Sequence, residues 1–402
     1  MIFDVQSIRR YIPLSALLCI QCAGAPAFVP REIAAGLKGG YQVIAADLNG
    51  DGKPDLIAVA PGTNELVWFE SPSWQRHVII SGVPRMINCA AWDIDGDGIP
   101  EIALASEFSN NAAKSLGIVS ILHHNGDPRQ PWTATEIDRL PTSHRLRWAD
   151  IHGNGKKVLI NAPLTNSAAQ APEDHLSVPL VYYDPADWKR RLISQENQGV
   201  QHGIFIFDWN GKGRDAILTA SFSGLHLFRL NPSGSWLRTE LSSGSPAPWP
   251  KSGSSDVTVG STHGQRFLAA IEPWHGNQVA VYRLSRNHWE RTVIDDSLTD
   301  GHTIASADFD NSGSDQILVG ARGPSRNLYL YRLEGKKWAR TLVDDGGMAA
   351  SGCTVASLHS DGTKDIACIS AATANLKLYE NETGGPQPRS PQLVRSNNGR
   401  KL

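Results

Sequence analysis

Short apolar runs recur along the whole chain, and each is cut off by glycine, aspartate or asparagine. None carries the three-and-four spacing of an amphipathic helix. Three kinds of segment return in a fixed order. The first sets an apolar run on either side of an Asp/Gly loop. Its copies are VIAADLNGDGKPDLIAVA, CAAWDIDGDGIPEIALAS, RWADIHGNGKKVLINA, FIFDWNGKGRDAILTA, IASADFDNSGSDQILVG and VASLHSDGTKDIACIS. A seventh copy, VTVGSTHGQRFLAAIE, keeps the apolar flanks and has lost the acids. The second kind alternates apolar and polar positions, as in ELVWFE, LVYYDP, GLHLFRL and NLYLYRL. Alternation at period two is the mark of a half-buried strand. The third kind opens on an aromatic residue, as in WQRHVII, WTATEID, WERTVID and WARTLVD.

Each unit therefore predicts four strands, with the Asp/Gly loop between the first and second. Successive loops lie about 46 to 58 residues apart. Four-stranded units at that period predict an all-β fold, a seven-bladed β-propeller. The last unit ends at NLKLYENETGG without its aromatic strand. The missing copy, FVPREIA at Phe28–Ala34, stands at the front of the chain. It is expected to complete the last blade, which closes the ring and removes a bare strand edge.

Composition narrows the picture at the two ends. Arg9 and Arg10 precede an apolar run, and Ala25-Pro26-Ala27 offers a cleavage site, so residues 1–27 read as a signal peptide. The run is too short to span a membrane. The expected organisation is a leader at 1–27, a propeller at 28–383 and a disordered, Pro- and Gly-rich tail at 384–402, in a secreted or periplasmic protein. The formal net charge of -2 and the lack of a basic stripe give no support to a nucleic-acid partner. Oligomeric state is not legible. Cys89, Cys353 and Cys368 are too few for a disulfide framework. Cys353 and Cys368 could face each other across a hairpin or remain buried thiols.

The Asp/Gly loops have the chemistry of a Ca2+ site: several oxygen ligands on a tightly turning backbone. Asp47, Asn49, Asp51 and Asp55 stand at positions 1, 3, 5 and 9 of the first loop, with the Lys53 carbonyl at position 7. Asp93, Asp95, Asp97, the Ile99 carbonyl and Glu101 repeat that spacing in the second. Asp308, Asp310, Ser312 and Asp315 make a third candidate. The fourth loop carries Lys212 at position 5, where an ammonium opposes a cation, and the seventh keeps only Asp361 and Asp365. These are not EF-hands, because the flanks are strands and position 12 is Ala58 or Leu104. The motifs resemble FG-GAP/VCBS repeats, a likeness that implies a propeller and calcium and says little of function.

The loops mark one face of the disc, so the start of each innermost strand lies on the other, near the axis. Six residues before the first loop aspartate stand Tyr41, His144, His202 and His302 in four of the blades. Second-strand ends bring Glu272, Trp274 and His275 from blade five, Arg322 from blade six and Glu107 from blade two. Arg85 and Arg145 enter nearby. Histidine serves as a base near neutral pH or as a ligand to a transition metal. The catalytic candidates are His144, His202, His275, His302, Arg145, Arg322 and Tyr41. Trp274, Glu272, Arg85 and Glu107 are candidates for holding a sugar substrate. One chemistry that fits is β-elimination next to a carbonyl, which needs a base, a cation or metal for the enolate, and an acid. The segments IEPWHGNQVAVYR and GHTIASADFDNSG resemble the propeller of the aldos-2-ulose dehydratase family, which implies elimination of water from a keto-sugar. Seven-bladed polysaccharide lyases are close in chemistry. The expected activity is that of a carbohydrate lyase or dehydratase acting on a keto-sugar or uronate glycan. The alternative is a non-catalytic propeller that binds a glycan or a protein through the same mouth.

Overall fold

The computed structural model describes residues 26–171, 174–359 and 362–383. The leader predicted at 1–27 falls almost wholly outside them, as do the tail at 384–402 and Asp361. The described residues form seven four-stranded antiparallel sheets and two short 3-10 turns, Pro61–Thr63 and Ala112–Lys114. No helix among them is long and apolar enough to cross a membrane.

The innermost strands follow one another around the axis: Gln42–Ala46, Asn88–Trp92, Ser143–Ala149, Gln201–Phe207, Asp256–Thr262, Gly301–Ala307 and Ala350–Ala356. Each contacts the next, and the seventh contacts the first. The second strand of a blade is buried on both sides, as DLIAVA at Asp55–Ala60 and EIALAS at Glu101–Ser106 are along their whole length. That burial explains why those runs read as continuous apolar stretches.

The core is divided among the gaps between blades. Leu56, Val67 and Trp74 of blade one pack with Leu376 and Leu378 of blade seven. Trp132 of blade two packs with Trp68 and Ile79 of blade one. The aromatic residue that opens each fourth strand is therefore a wedge against the preceding blade. Phe28 serves blade seven in this way, its ring 5.6 Å from Phe309 of blade six.

The displaced strand closes the ring as expected. Phe28–Ala35 pairs antiparallel with Asn375–Asn381, from Phe28 opposite Asn381 to Ala35 opposite Asn375. In the same blade Cys353 and Cys368 are cross-strand partners and form a disulfide. This decides between the two alternatives the spacing left open. Cys89 is a buried free thiol.

Candidate functional site

The residues six before each loop sit at a special point of the backbone. In blade three the pairing runs Ser143 to Pro163 and then Arg145 to Ala162, so His144 is the extra residue of a bulge. His202 is skipped in the same way in blade four, His302 in blade six and Ser351 in blade seven. A bulge re-aims the side chain it carries. Here it brings His144, His202 and His302 to one place at the axis, all buried.

Blade five has no such bulge and carries Ser255 at the equivalent place. It supplies its imidazole from the turn after its second strand. His275 occupies the left-handed region at φ 48°, which is uncommon for a side chain of its size. Gly276 follows, and a Cβ there would lie 2.2 Å from the Glu272 carbonyl oxygen. The Ser255 hydroxyl accepts from the His275 backbone N–H at 3.2 Å, tying the turn down over the small residue.

The four imidazoles form one cluster. His202 lies with its ring centroid 5.0 Å from each of His144, His275 and His302. Ligand nitrogens of His202, His275 and His302 all fall within 4.8 Å of one another. The backbone sets two tautomers. The Nδ1 of His302 lies 2.5 Å from the Ser351 carbonyl and that of His202 3.2 Å from the Ser255 carbonyl. A carbonyl only accepts, so each Nδ1 carries the proton and each Nε2 presents a lone pair. The Nε2 of His302 is buried and has no protein partner. A buried nitrogen in that state can take a metal or a substrate proton. Three convergent imidazoles also fit a transition metal by donor type.

Burial holds the set neutral. Desolvation first, then the nearby Arg145 or Arg322 and other imidazoles, keeps His144, His202 and His302 well below the usual imidazole range. His275 is lowered to about 4 by burial and by Arg322. Burial raises the Tyr41 phenol, so it stays protonated near neutral pH. Its hydroxyl is 2.8 Å from His144 Nε2.

The arginines frame the cluster. Arg322 donates to His275 Nδ1 at 3.1 Å and pairs with Asp300 at 3.0 Å. Arg145 donates from Nε to the His202 carbonyl at 3.0 Å, with its guanidinium 5.5 Å from the centre of the Tyr41 ring. Below the cluster an axial cavity of about 380 Å³ is lined by Tyr41, Arg145, Arg147, Asp256, Thr258 and His302, among others. Asp256 and Asp300 belong to this constellation and are not legible from a six-residue count. Asp256 stands five before its loop, the same offset as Arg145, and burial raises its carboxyl to about 6.

The other candidates are placed less centrally. Trp274 packs on His275 at 4.7 Å. Arg85 and Glu107 pair with each other on the turns of blade two, beside Phe108, whose ring is 5.3 Å from His144. Glu272 does not reach the mouth. Its carboxylate turns toward the outer strands of blade five, where it accepts from Ser254 Oγ and Arg291 Nε at 2.7 Å and from the Tyr282 hydroxyl. A fully buried carboxylate needs such a cation, and Arg291 holds it there.

The Asp/Gly loops lie on the opposite face. In the second, oxygens of Asp93, Asp95 and Glu101 come within 4.8 Å of one another, a set that suits calcium. In the first, Asp55 is a buried buckle that accepts from the Leu48 and Ser71 N–H groups at 2.9 and 2.8 Å. Burial, with Asp47 and Asp51 nearby, raises its carboxyl to about 6, and a cation would relieve that repulsion. In the sixth, Gln316 takes the buckle position by accepting from Phe309 N–H at 2.7 Å. Asp315 instead accepts from Ser261 N–H of blade five at 2.6 Å.

Ring, loops and mouth together define a seven-bladed β-propeller, and residues 47–104 match the family model of the FG-GAP-like repeat. Residues 116–285 match the model described as aldos-2-ulose dehydratase, beta-propeller domain, a stretch that contains His144, His202 and His275. The chain is 24% identical over 353 residues to the aldos-2-ulose dehydratase of Phanerodontia chrysosporium, across 75% of this chain and 38% of that protein. It therefore spans well under half the length of that relative.

Proposed function

We propose that the chain is a carbon–oxygen lyase that removes water, or an alkoxide leaving group, from a keto-sugar or uronate glycan. The observation that carries this is the buried, unpartnered Nε2 of His302 among three other neutral imidazoles. The similarity to a dehydratase propeller supports the choice of chemistry.

Elimination breaks a C–H bond next to a carbonyl, moves that electron pair into a C=C bond, and expels the oxygen on the next carbon. The base must be neutral, and burial keeps these imidazoles so. The Nε2 lone pair of His302 is fixed by its carbonyl partner and is ready to take the proton, while that of His202 accepts from His275 Nε2–H at 3.4 Å. Arg322 and Arg145 hold the negative charge that gathers on the carbonyl oxygen. The Tyr41 hydroxyl is the acid for the leaving oxygen. A transition metal on His202, His275 and His302 would supply Lewis-acid polarisation of the carbonyl. With those imidazoles so engaged, the Tyr41–His144 pair is left to move the proton. The same reading takes calcium in the Asp/Gly loops and export by the leader.

The test is a screen of keto-sugars and uronate glycans for the ultraviolet absorbance of an unsaturated product. His302→Ala and His202→Ala should each lower turnover by about a hundredfold or more while keeping the fold. Full activity in either variant overturns the assignment of that imidazole.

A further inference from the structure

A second cavity of substantial size lies away from the histidines. It is a cleft of about 540 Å³ on the opposite face, under blade four. Its size is that of a small-molecule site. Lys212 and Arg214 reach it from the fourth Asp/Gly loop, and Arg229 from the third strand of the blade. Trp209, Leu230 and Leu237 form its apolar wall, and Leu237 is about half exposed.

None of the three cations is paired with an acidic side chain among the described residues, unlike several arginines elsewhere in the ring. Arg291 pairs with Glu272, Arg190 with Asp138 and Arg322 with Asp300. Among the described residues, Lys212, Arg214 and Arg229 form no ion pair within 4 Å. The Nε of Arg229 is buried without a hydrogen-bond partner, and Arg214 has only long contacts to the Leu230 and His152 carbonyls, at 3.5 and 3.4 Å. Asp215 also lines the cleft, and backbone N–H groups hold its carboxylate and that of Asp208. Asp208 accepts from Gly213 N–H at 2.6 Å, and Asp215 from Asp150 N–H at 2.7 Å. Three cations against the one lining carboxylate, Asp215, leave the hollow positive, which favours entry of an anion. The fourth loop keeps Asp208 and Asp215 and adds Lys212 and Arg214 between them.

We propose that this cleft binds an acidic saccharide, with Lys212, Arg214 and Arg229 holding its carboxylate or sulfate groups and Trp209 and Leu237 lying along its ring carbons. The apolar wall and the limited size suit a few sugar units. A long polyphosphate is disfavoured, because the same face carries Asp47, Asp51, Asp93, Asp95 and Asp97 and the chain has a net charge of -2. The proposal does not depend on the reaction assigned to the opposite face.

Affinity electrophoresis of the full chain tests it, in gels carrying polygalacturonate, dextran sulfate or neutral dextran. Retardation is expected with an acidic polymer and not with dextran; which acidic polymer retards tells carboxylate from sulfate. Lys212→Gln/Arg229→Gln should weaken the effect about tenfold, as expected for losing charge-assisted hydrogen bonds. Lys336→Gln, an exposed cation outside the cleft, should leave it unchanged. Lys212→Gln alone, in an exposed turn, should show a smaller loss and serves if the double variant does not fold. No retardation by either acidic polymer, equal retardation by dextran, undiminished binding in the variants, or tighter binding of a single-stranded oligonucleotide would each overturn the proposal.

Discussion

At the scale of single residues, burial without a counter-charge decides what a histidine can do. His226, on the third strand of blade four, is buried with an unpartnered Nδ1, and burial lowers it to about 3. It is remote from the proposed chemistry and isolates the effect. In the unfolded chain an imidazole titrates near 6.5. Between about pH 3 and 6.5 the unfolded state therefore binds one proton more at this position. Stability contributed here rises with pH across that window and is lost as pH falls, by about 1.4 kcal/mol per unit. His226→Leu should remove this share of the slope. Urea unfolding of both proteins from pH 6.5 to pH 4.5 checks it, and parallel curves would refute the buried-neutral state. The same physics marks the limits of reading single residues from sequence. Counting back from the loops located His144, His202, His302 and Tyr41, because repeat register is written in the chain. It missed Asp256, one position along. Reading the second-strand ends misplaced Glu272, because the side on which a strand-end carboxylate finds its cation depends on Arg291, nineteen residues away.

At the scale of elements, the blade was legible and its fastening was not. Alternating runs and aromatic openers predicted the four strands, and the front-to-back order of FVPREIA predicted closure. The bulges that aim the histidines leave no mark in composition; they appear only when two strands are paired. The disulfide is a similar case, since fifteen residues of spacing are compatible with either a bond or two thiols. Its position has a consequence. Blade seven is the one blade assembled from both ends of the described chain, and Cys353–Cys368 staples its two inner strands. Closing a loop of that length restricts the unfolded chain by about 3 kcal/mol. Cys353→Ala/Cys368→Ala should lower the unfolding free energy by about that amount in denaturant titration. A loss below about 1 kcal/mol would mean that pairing of Phe28–Ala35 with Asn375–Asn381 already fixes the blade.

At the scale of the whole molecule, the ring separates two kinds of site onto two faces, and metal removal can tell them apart. The Asp93, Asp95 and Glu101 set lies in a turn that joins the inner strands of blade two, so a cation there acts on stability. The imidazole set lies at the other end of the inner strands, so a metal there acts on turnover. Chelation with EDTA should lower the melting temperature, and added calcium should restore it. Asp95→Asn should reduce that response, since it removes one carboxylate charge from the set. Zinc or another transition metal, and not calcium, should restore turnover lost to EDTA if the imidazoles hold a metal. Turnover that survives EDTA while the melting temperature falls would assign the elimination to the imidazole lone pairs alone. A melting temperature indifferent to both EDTA and calcium would remove calcium from the loops, leaving them as hairpin turns held by their own aspartates, as Asp47 already holds Gly50 and Gly52 N–H groups at 2.8 and 2.7 Å.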